Sequence, residues 1–584
     1  MLAFGWCSEM KKIQFFMGKK FKLLFSFLSA VIFLIVLYFT AGIWFETNDD
    51  LLIGEMLSGK IIGEPEWHCP YVGPLLTIPL SALYRVFSEI PWWGILIFAC
   101  LFFVIFIVIF LSMSLAESLT QMVGFSLAAV LLVIVGIHNF GQAQFTSAAI
   151  LLAFSGYIIL ITYIDSRPAW VAFAILELLA VSIRDSSMLL VQPIGVMALM
   201  GMNFIRKPLK DNLKNLVKKS FCCVVLVVVI ISVTKIANRL TFSSEEWKDY
   251  YKFNDCQMYL LDYEPAIPYE DLSDILAKYG ITSEEYEQIN QYRTWYLDNK
   301  FTGACLEELL PRLSEIRRVK VSGGTLTEAV KQLLFTSTEF WHLHQLTAIL
   351  FATVGLAALI SGGYRMLIPI LSTFMGYFVG IVFLAYRNRF ALRVMMPYYF
   401  GTMLVLCIIL FYIVKDVEWG CIRGKISISI LTVVALGLAL TFLQTGRVQF
   451  AYIRAQNHVV NSTYCSEKRE IMDYCNARPN KHYVLDMSYA RFASSDIFEH
   501  KYYGKTNYIY SGSWYSNTPN MLEYSKDYIA DGCYYIVYET QKFYGLDGLD
   551  YYTKMFGTEP VIEDKFKLSS GATIWVWKVA PQEK

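Results

Sequence analysis

The chain has 584 residues, of which 56% are hydrophobic and 17% charged, whereas soluble proteins carry about a quarter charged residues. This composition excludes a disordered chain and a small secreted scaffold, and it argues against an ordinary soluble enzyme. With 50 Lys and Arg against 49 Asp and Glu, the formal charge of +1 excludes a global basic field for nucleic acid. We therefore expect an integral membrane protein.

The apolar runs predict eleven membrane-spanning helices, because each span needs about 20 mostly apolar residues. The first span, Phe21–Trp44, follows a lysine-rich stretch, which places the N-terminus in the cytoplasm. This run is longer than the core of a signal peptide and lacks a small-residue cleavage site, so we expect it to remain uncleaved. The other predicted spans are 92–114, 122–138, 145–164, 169–183, 187–205, 220–237, 342–362, 364–386, 390–414 and 426–445.

The apolar stretch Tyr71–Phe87 is predicted to be an interfacial helix on the outer surface. If it spanned the membrane, the basic loop 206–219 would lie outside, whereas short basic loops belong in the cytoplasm. With Tyr71–Phe87 on the surface, the C-terminus lies outside. Three hydrophilic blocks are then also outside, namely the first loop 45–91, an insert 238–341 and the tail 446–584.

The insert is predicted to be helical, since Thr282-Ser283-Glu284-Glu285 resembles a capping box and Tyr269–Tyr279 has helical apolar spacing. The tail is predicted to be an α/β domain, with a helix around Glu467–Ala477 and strands at Tyr483–Met487, Cys533–Tyr538 and Thr573–Val579. Its Tyr and Trp residues suit stacking on sugar rings, although ordinary packing explains them as well. The expected fold is an α-helical polytopic membrane protein with transmembrane modules 1–237 and 342–445, the helical insert 238–341 and the α/β domain 446–584.

Six of the twelve cysteines lie outside by this topology, where disulfides could form. Cys465 and Cys475 are the pair to test first, with free thiols as the alternative. No cysteine or histidine spacing is typical of a zinc site.

The most distinctive candidate site is Thr47-Asn48-Asp49-Asp50, directly after the first span. Two adjacent carboxylates repel each other, and burial penalises their charge. A carboxylate held there could act as a general base toward a hydroxyl acceptor, or it could coordinate a divalent cation. Alternatively, Asp50 or Asn48 caps a helix over Leu51–Ser58.

A second candidate site is the cluster Arg387, Arg389 and Arg393 at an outer junction between two spans, where basic residues are normally scarce. Guanidinium groups at that depth suit bidentate binding of a phosphate or pyrophosphate, and Tyr398 lies close by in the sequence. The alternative is that these side chains snorkel to lipid headgroups.

Arg184 and Asp185 lie at another outer helix end and are candidate supporting residues, unless they simply pair with each other. His68 in the first loop is a further candidate, although a lone histidine is more often packed than functional. The second outer loop, 139–144, contains no acid, so a site built from this loop and Asp49 would lack the carboxylates that a hard cation needs. We therefore expect no metal cofactor, and the chain carries no nucleotide-binding, hydrolase or zinc-protease motif.

Taken together, these features resemble the GT-C superfamily of membrane glycosyltransferases, which includes the aminoarabinose transferase, the protein O-mannosyltransferases and the oligosaccharyltransferase. The chain is also similar to a set of bacterial multi-pass proteins of this type. The resemblance covers about 1–240 and 340–445. The segments that carry it are Asn48-Asp49-Asp50, Met56-Leu57-Ser58-Gly59, Pro70-Tyr71-Val72-Gly73-Pro74-Leu75-Leu76, Arg387-Asn388-Arg389, Arg393 and Pro397-Tyr398.

The resemblance implies inverting transfer of a sugar from a polyprenyl-phosphate carrier to an envelope glycan, lipid or protein outside the plasma membrane. It implies Asp49 as the general base, with Asp50 supporting it or orienting the acceptor. Arg387, Arg389 and Arg393, with Tyr398, would hold the carrier phosphate. The chain departs from the metal-dependent members because its second outer loop lacks an acid.

Two alternatives remain open on the sequence. A lipid or glycolipid transporter would need interrupted helices and polar residues at mid-membrane, and Glu177 inside the predicted span 169–183 is the residue that favours it. The second alternative is a non-catalytic scaffold of the same fold.

Overall fold

The computed structural model describes residues 18–206, 209–261, 266–289, 300, 303–323, 341–362, 364–387, 391–415, 422–486, 496–498, 505–511, 514–539 and 557–580. Long apolar helices dominate it, because a helix satisfies its own backbone hydrogen bonds wherever water is absent. The helices before the insert are α1 (Lys19–Ala41), α2 (Asn48–Ser58), α3 (Pro74–Val86), α4 (Trp92–Leu115), α5 (Leu119–Val135), α6 (Ile137–Gly141), α7 (Phe145–Thr162), α8 (Arg167–Ile183), α9 (Met188–Arg206) and α10 (Leu209–Thr241).

Within the described residues, four helices lie in the insert and four more follow it before the C-terminal domain. Those of the insert are α11 (Glu245–Leu261), α12 (Ser273–Lys278), α13 (Ser283–Ile289) and α14 (Gly303–Gly323). Those after it are α15 (Trp341–Gly362), α16 (Ile368–Arg387), α17 (Leu392–Lys415) and α18 (Ile422–Val459).

Within the described residues, nine helices are long and apolar enough to cross a membrane. They coincide with nine of the eleven predicted spans. The other two predicted spans, 122–138 and 169–183, correspond to α5 and α8, which have 17 residues each. The chain is therefore a helical polytopic protein, as the hydropathy predicts.

The helix α7 lies at the centre of the bundle, where every residue from Phe145 to Ile161 is buried. The helices α1 and α18 lie at the periphery and expose apolar side chains, such as Phe39 at 80% and Leu440 at 69%. Exposed apolar surface of this kind is what a lipid bilayer covers.

The stretch predicted to be an interfacial helix forms α3, whose 13 residues span about 20 Å, too short to cross the roughly 30 Å hydrocarbon core. One face buries Leu80 and Tyr84 against the bundle, and the other exposes Ile78 and Val86. A helix with one buried face and one exposed apolar face suits a membrane surface.

The insert has its own small core, in which Leu260 of α11 and Leu309 of α14 are buried. The capping box is confirmed, since Thr282 N–H donates to Glu285 Oε2 at 3.0 Å and Glu285 N–H donates to Thr282 Oγ1 at 3.2 Å. The predicted helix over Tyr269–Tyr279 is shorter than expected, with a 3₁₀ turn at Tyr269–Asp271 before α12.

Two short strands, β1 (Trp44–Phe45) and β2 (Gln142–Ala143), precede the C-terminal domain. This domain combines α19 (Cys465–Asn476) and α20 (Pro519–Tyr528) with the described strands β3 (Tyr483–Asp486), β4 (Tyr508–Ser511), β5 (Cys533–Tyr538), β6 (Val561–Lys567) and β7 (Thr573–Val579). These five strands form one sheet of order β4-β3-β5-β7-β6. Strands β3, β4 and β5 are parallel, and β7 runs antiparallel to β5 and β6. The predicted strands are confirmed as β3 (Tyr483–Asp486), β5 (Cys533–Tyr538) and β7 (Thr573–Val579), whereas β4 (Tyr508–Ser511) and β6 (Val561–Lys567) were not predicted. The helix α18 continues without a break across the predicted domain boundary at 445–446.

The proposed pairing of Cys465 with Cys475 is wrong. Both cysteines lie on α19 and form no disulfide, and the other cysteines of the described chain form none either. Ten residues of helix separate their Cα atoms by about 15 Å, far beyond the roughly 7 Å that a disulfide allows.

Candidate functional site

The end of α1 directs the chain into the candidate site. Two short strands, β1 (Trp44–Phe45) and β2 (Gln142–Ala143), pair in parallel and bring the first and second loops together. Gly42 has φ +79°, a left-handed conformation that favours glycine, and the buried side chain of Asn457 donates to its carbonyl at 3.2 Å and to that of Ala41 at 2.9 Å. These contacts fix the path of the chain before Asp49 and Asp50.

Asp50 is completely buried at the start of α2. Its Oδ1 accepts a hydrogen bond from Trp93 Nε1 at 3.2 Å, and its Oδ2 accepts one from the backbone N–H of Phe145 at 3.3 Å. Burial, reinforced by the charge of Asp49, raises the pKa of Asp50 well above its ordinary value. Asp50 therefore joins α2 to the first turns of α4 and α7.

The alternative that Asp50 caps a helix over Leu51–Ser58 is wrong, because α2 begins at Asn48 and its N-cap residue is Thr47. The donors to Asp50 belong to other helices. The side chain of Asn48 lies outside the described residues.

Asp49 is only half-buried, although it is next in the chain to Asp50. Its Oδ1 accepts a hydrogen bond at 3.1 Å from Nε1 of Trp514, which follows β4 in the C-terminal domain. The carboxylate that remains accessible is thus the one that the C-terminal domain contacts.

Arg184 caps the C-terminal end of α8 beside Asp49. Its guanidinium lies 5.0 Å from the ring centroid of Tyr71 and 5.2 Å from that of Phe145. Its charge interacts with those of Asp49 and Asp185. Among the contacts of the described residues it forms no direct ion pair with Asp185, so the alternative that these two simply pair is not supported.

Of the predicted arginine cluster, only the side chain of Arg393 lies within the described residues. Arg393 is half-buried at the start of α17, and its charge interacts with those of Arg184 and Glu46. Its backbone carbonyl accepts a hydrogen bond from Ser147 Oγ at 3.0 Å. Arg389 and the side chain of Arg387 lie outside the described residues.

Tyr398 and His68 have other partners. Tyr398 is fully buried and its hydroxyl donates at 2.6 Å to the backbone carbonyl of Tyr377 in α16, so it packs two helices together and we leave it out of the candidate site. Nδ1 of His68 lies 2.6 Å from Oε1 of Glu66, and its ring lies 3.7 Å from that of Trp67. His68 thus belongs to an aromatic cluster with Trp67, Phe242 and Trp247, without a described contact to Asp49 or Asp50.

A cavity of about 360 Å³ opens beside Arg184. Its charged lining residues are Arg184, Asp185, Lys235 and Arg239. Lys235 and Arg239 stand one turn apart near the end of α10, so they lie on the same helix face. Neither residue was predicted from the sequence, although both are basic residues at the outer end of a predicted span, the same signal that indicated Arg387, Arg389 and Arg393.

Glu46 is a third carboxyl of the site. Its backbone N–H donates to the carbonyl of Ala143 at 2.9 Å, beside the pairing of β1 with β2. Burial raises the pKa of Glu46 to about 7, against an opposing effect of the Arg393 charge. Perturbed carboxyls of this kind concentrate at functional sites. Within the described ranges, no group of three or more His, Cys, Asp or Glu side chains is arranged to hold a metal ion.

No protein-family model matches the chain, and a comparison with curated proteins finds no relative. The function therefore has to be argued from the site itself.

Proposed function

We propose that this protein is a membrane glycosyltransferase that transfers a sugar from a polyprenyl-phosphate carrier to an acceptor hydroxyl. In this proposal all eleven predicted helices span the plasma membrane, the N-terminus is cytoplasmic and the site faces outward. The observation that carries the proposal is an accessible carboxylate, Asp49, whose charge interacts with Arg184 at the rim of a cationic cavity. That combination supplies a base and a phosphate-binding cavity that are linked through Arg184.

Asp49 takes the proton of the acceptor hydroxyl as its oxygen attacks the anomeric carbon. The bond from that carbon to the phosphate oxygen breaks, and its electron pair leaves with the polyprenyl phosphate. Attack from the face opposite the phosphate inverts the anomeric configuration. The cations Arg184, Lys235 and Arg239 stabilise the negative charge that develops on the phosphate.

The cavity changes the set of residues to which we assign the carrier phosphate. Lys235, Arg239 and Arg184 join Arg393 in that role, because they line one space and Arg393 interacts electrostatically with Arg184. Arg387 and Arg389 stay predictions. Asp185 lines the same cavity, and its charge interacts with that of Arg184.

The test uses purified protein in lipid vesicles, supplied with a panel of polyprenyl-phosphate sugars, with release of polyprenyl phosphate as the readout. Asp49→Asn should lower the rate by about 100-fold or more, the usual contribution of a positioned base. Asp255→Asn, an exposed acid of α11 in the insert, is the matched control and should leave the rate unchanged. Turnover that survives Asp49→Asn would contradict the proposal.

A second candidate function, a lipid or glycolipid transporter, is favoured by one observation. Glu177 is fully buried in α8 and accepts a hydrogen bond from Gln192 Nε2 at 3.1 Å, and Gln192 in turn accepts one from the Tyr157 hydroxyl. Buried carboxyls in membrane helices often serve transport. If no donor releases its carrier although the carrier binds, loss of lipid transport in Glu177→Gln would decide for this function.

A further inference from the structure

Trp514 is held in place by three separate parts of the chain. It lies between β4 and α20 with only 8% of its surface exposed. Its ring packs edge-on against Tyr71 of the first loop, with centroids 4.8 Å apart. Its backbone carbonyl accepts a hydrogen bond at 3.4 Å from the hydroxyl of Tyr250 in α11. The first loop, the insert and the C-terminal domain therefore jointly orient this indole.

The indole N–H of Trp514 donates to a single acceptor among the described residues. An indole carries a single donor and no acceptor, and this donor is directed at Asp49 Oδ1 at 3.1 Å. Within the described part of the chain, Trp514 is the only hydrogen-bond donor to the Asp49 side chain. The orientation of that carboxylate thus depends on a residue 465 positions away in the sequence.

The neighbouring carboxyl has a similar but separate arrangement. The indole of Trp93, in the first turn of α4, donates to Asp50. Two adjacent carboxyls are therefore turned toward two indoles that belong to different parts of the fold. Like charges repel, and these two donors hold the carboxyls apart, with Asp50 facing the bundle and Asp49 facing the C-terminal domain.

We infer that Trp514 is a positioning residue for Asp49, by which the C-terminal domain completes the site. The inference rests on the proposed function. A donor to a carboxylate favours its ionised form, which is the form that accepts a proton from the acceptor hydroxyl. Among the described residues, the other charged or titratable groups that interact electrostatically with Asp49 are Asp50, Cys69, Arg184 and Tyr250.

The test removes this one hydrogen bond and follows the pH dependence. Trp514→Phe should lower kcat about tenfold to a hundredfold near neutral pH, the usual effect of a lost hydrogen bond to a charged group. The acidic limb of the pH–rate profile should move upward, since a donor to a carboxylate favours its ionised form. In the Asp49→Asn background the same substitution should have almost no further effect.

Trp577→Phe is the matched control. Trp577 is an indole of β7 in the same domain, and its Nε1 donates to no described residue. The control should therefore leave both the rate and the profile unchanged. If Trp514→Phe does not fold, benzothienylalanine incorporated at position 514 keeps the shape of the indole and removes only the N–H.

A readout without turnover separates this inference from the proposed function. A carbodiimide modifies only protonated carboxyls, and peptide mass spectrometry reports its reaction at Asp49. The pH midpoint of this labelling should be higher in the variant without the donor than in the wild type. If the labelling midpoint shifts but the protein releases polyprenyl phosphate from no donor, the proposed function is refuted and the role of Trp514 in positioning Asp49 is retained. An unshifted midpoint and profile would overturn the inference even in an active enzyme.

Discussion

The helix α2 holds two fully buried carboxyls, and the two sides of the helix stabilise them differently. On the bundle side, Asp50 accepts hydrogen bonds from two neutral donors, the indole of Trp93 and the backbone N–H of Phe145. On the C-terminal domain side, Glu55 forms an ion pair with Lys60 at 2.7 Å and accepts a hydrogen bond from the Tyr510 hydroxyl at 3.4 Å.

This difference shows two ways of keeping a carboxyl in a dry interior. A buried charge needs a partner of opposite sign, as Glu55 has in Lys60. Without such a partner a carboxyl keeps its proton more readily, which is why the pKa of Asp50 is raised. Asp49 is half-buried, its one described donor is the neutral indole of Trp514, and it is the carboxyl to which the proposed function assigns the role of base.

The largest expected effect on stability comes from breaking the ion pair between Glu55 and Lys60, on the C-terminal domain side of α2. Lys60→Met leaves the Glu55 charge buried without its cation, which should lower the free energy of unfolding by about 3–5 kcal/mol. Lys505→Met, which removes an exposed lysine of the same interface, is the control and should cost less than about 0.5 kcal/mol. Denaturation in detergent measures both, and equal stabilities would show that Glu55 is not held as a charge.

The next largest effect on stability comes from removing the Asp50 carboxyl, on the bundle side of α2. Asp50→Ala leaves the Trp93 and Phe145 donors buried without an acceptor, at a cost of about 2–4 kcal/mol in the free energy of unfolding. Asp50→Asn keeps an acceptor oxygen and should cost less. If Asp50→Asn abolished turnover while Asp49→Asn did not, the roles of the two carboxyls would be reversed.

A pH titration sharpens the comparison at Glu46, a carboxyl of the bundle side. Its pKa in the folded protein is about 7, against an ordinary value of 4.5. The folded state therefore binds more protons than the unfolded state between these values. The free energy of unfolding should fall as the pH rises through this window, by up to about 1.4 kcal/mol per pH unit.

Glu46→Gln isolates that contribution. The variant cannot release the proton, so the difference between it and the wild type should vanish below about pH 4.5 and grow toward pH 7. A constant difference across the whole range would contradict the raised pKa.

The smallest effect concerns the cavity. Lys235→Met should raise the KM for a polyprenyl-phosphate donor about tenfold, the worth of one charge-assisted contact, and leave stability unchanged. Lys505→Met, on the domain side and outside the cavity, again serves as the control. If the two variants had the same KM, the phosphate site would instead be assigned to Arg387, Arg389 and Arg393.

Much of the fold could be predicted from the sequence, because the signals are local. The spans follow from hydropathy, the capping box from a three-residue spacing, and β3, β5 and β7 from runs of β-branched and aromatic residues. The strand β6 was missed because Val561–Lys567 alternates with charges and is largely exposed, and β4 has only four residues.

The site was predictable only in part. Asp49 and Asp50 stand out in the sequence because adjacent acids after an apolar helix are unusual. Lys235 and Arg239 could have been found from their helical spacing at the end of a predicted span. Nothing local indicates that Trp514 contacts Asp49, or that Tyr398 donates to the Tyr377 backbone.

The sequence by itself determined that this protein is a helical membrane protein with an acidic first loop, since hydropathy is a property of each segment and adds up along the chain. Only the tertiary structure decided that Asp50 is sealed and Asp49 accessible. The two residues are adjacent and chemically identical. Their difference comes from the burial and the donors that distant helices and the C-terminal domain supply, and these depend on how the whole chain packs.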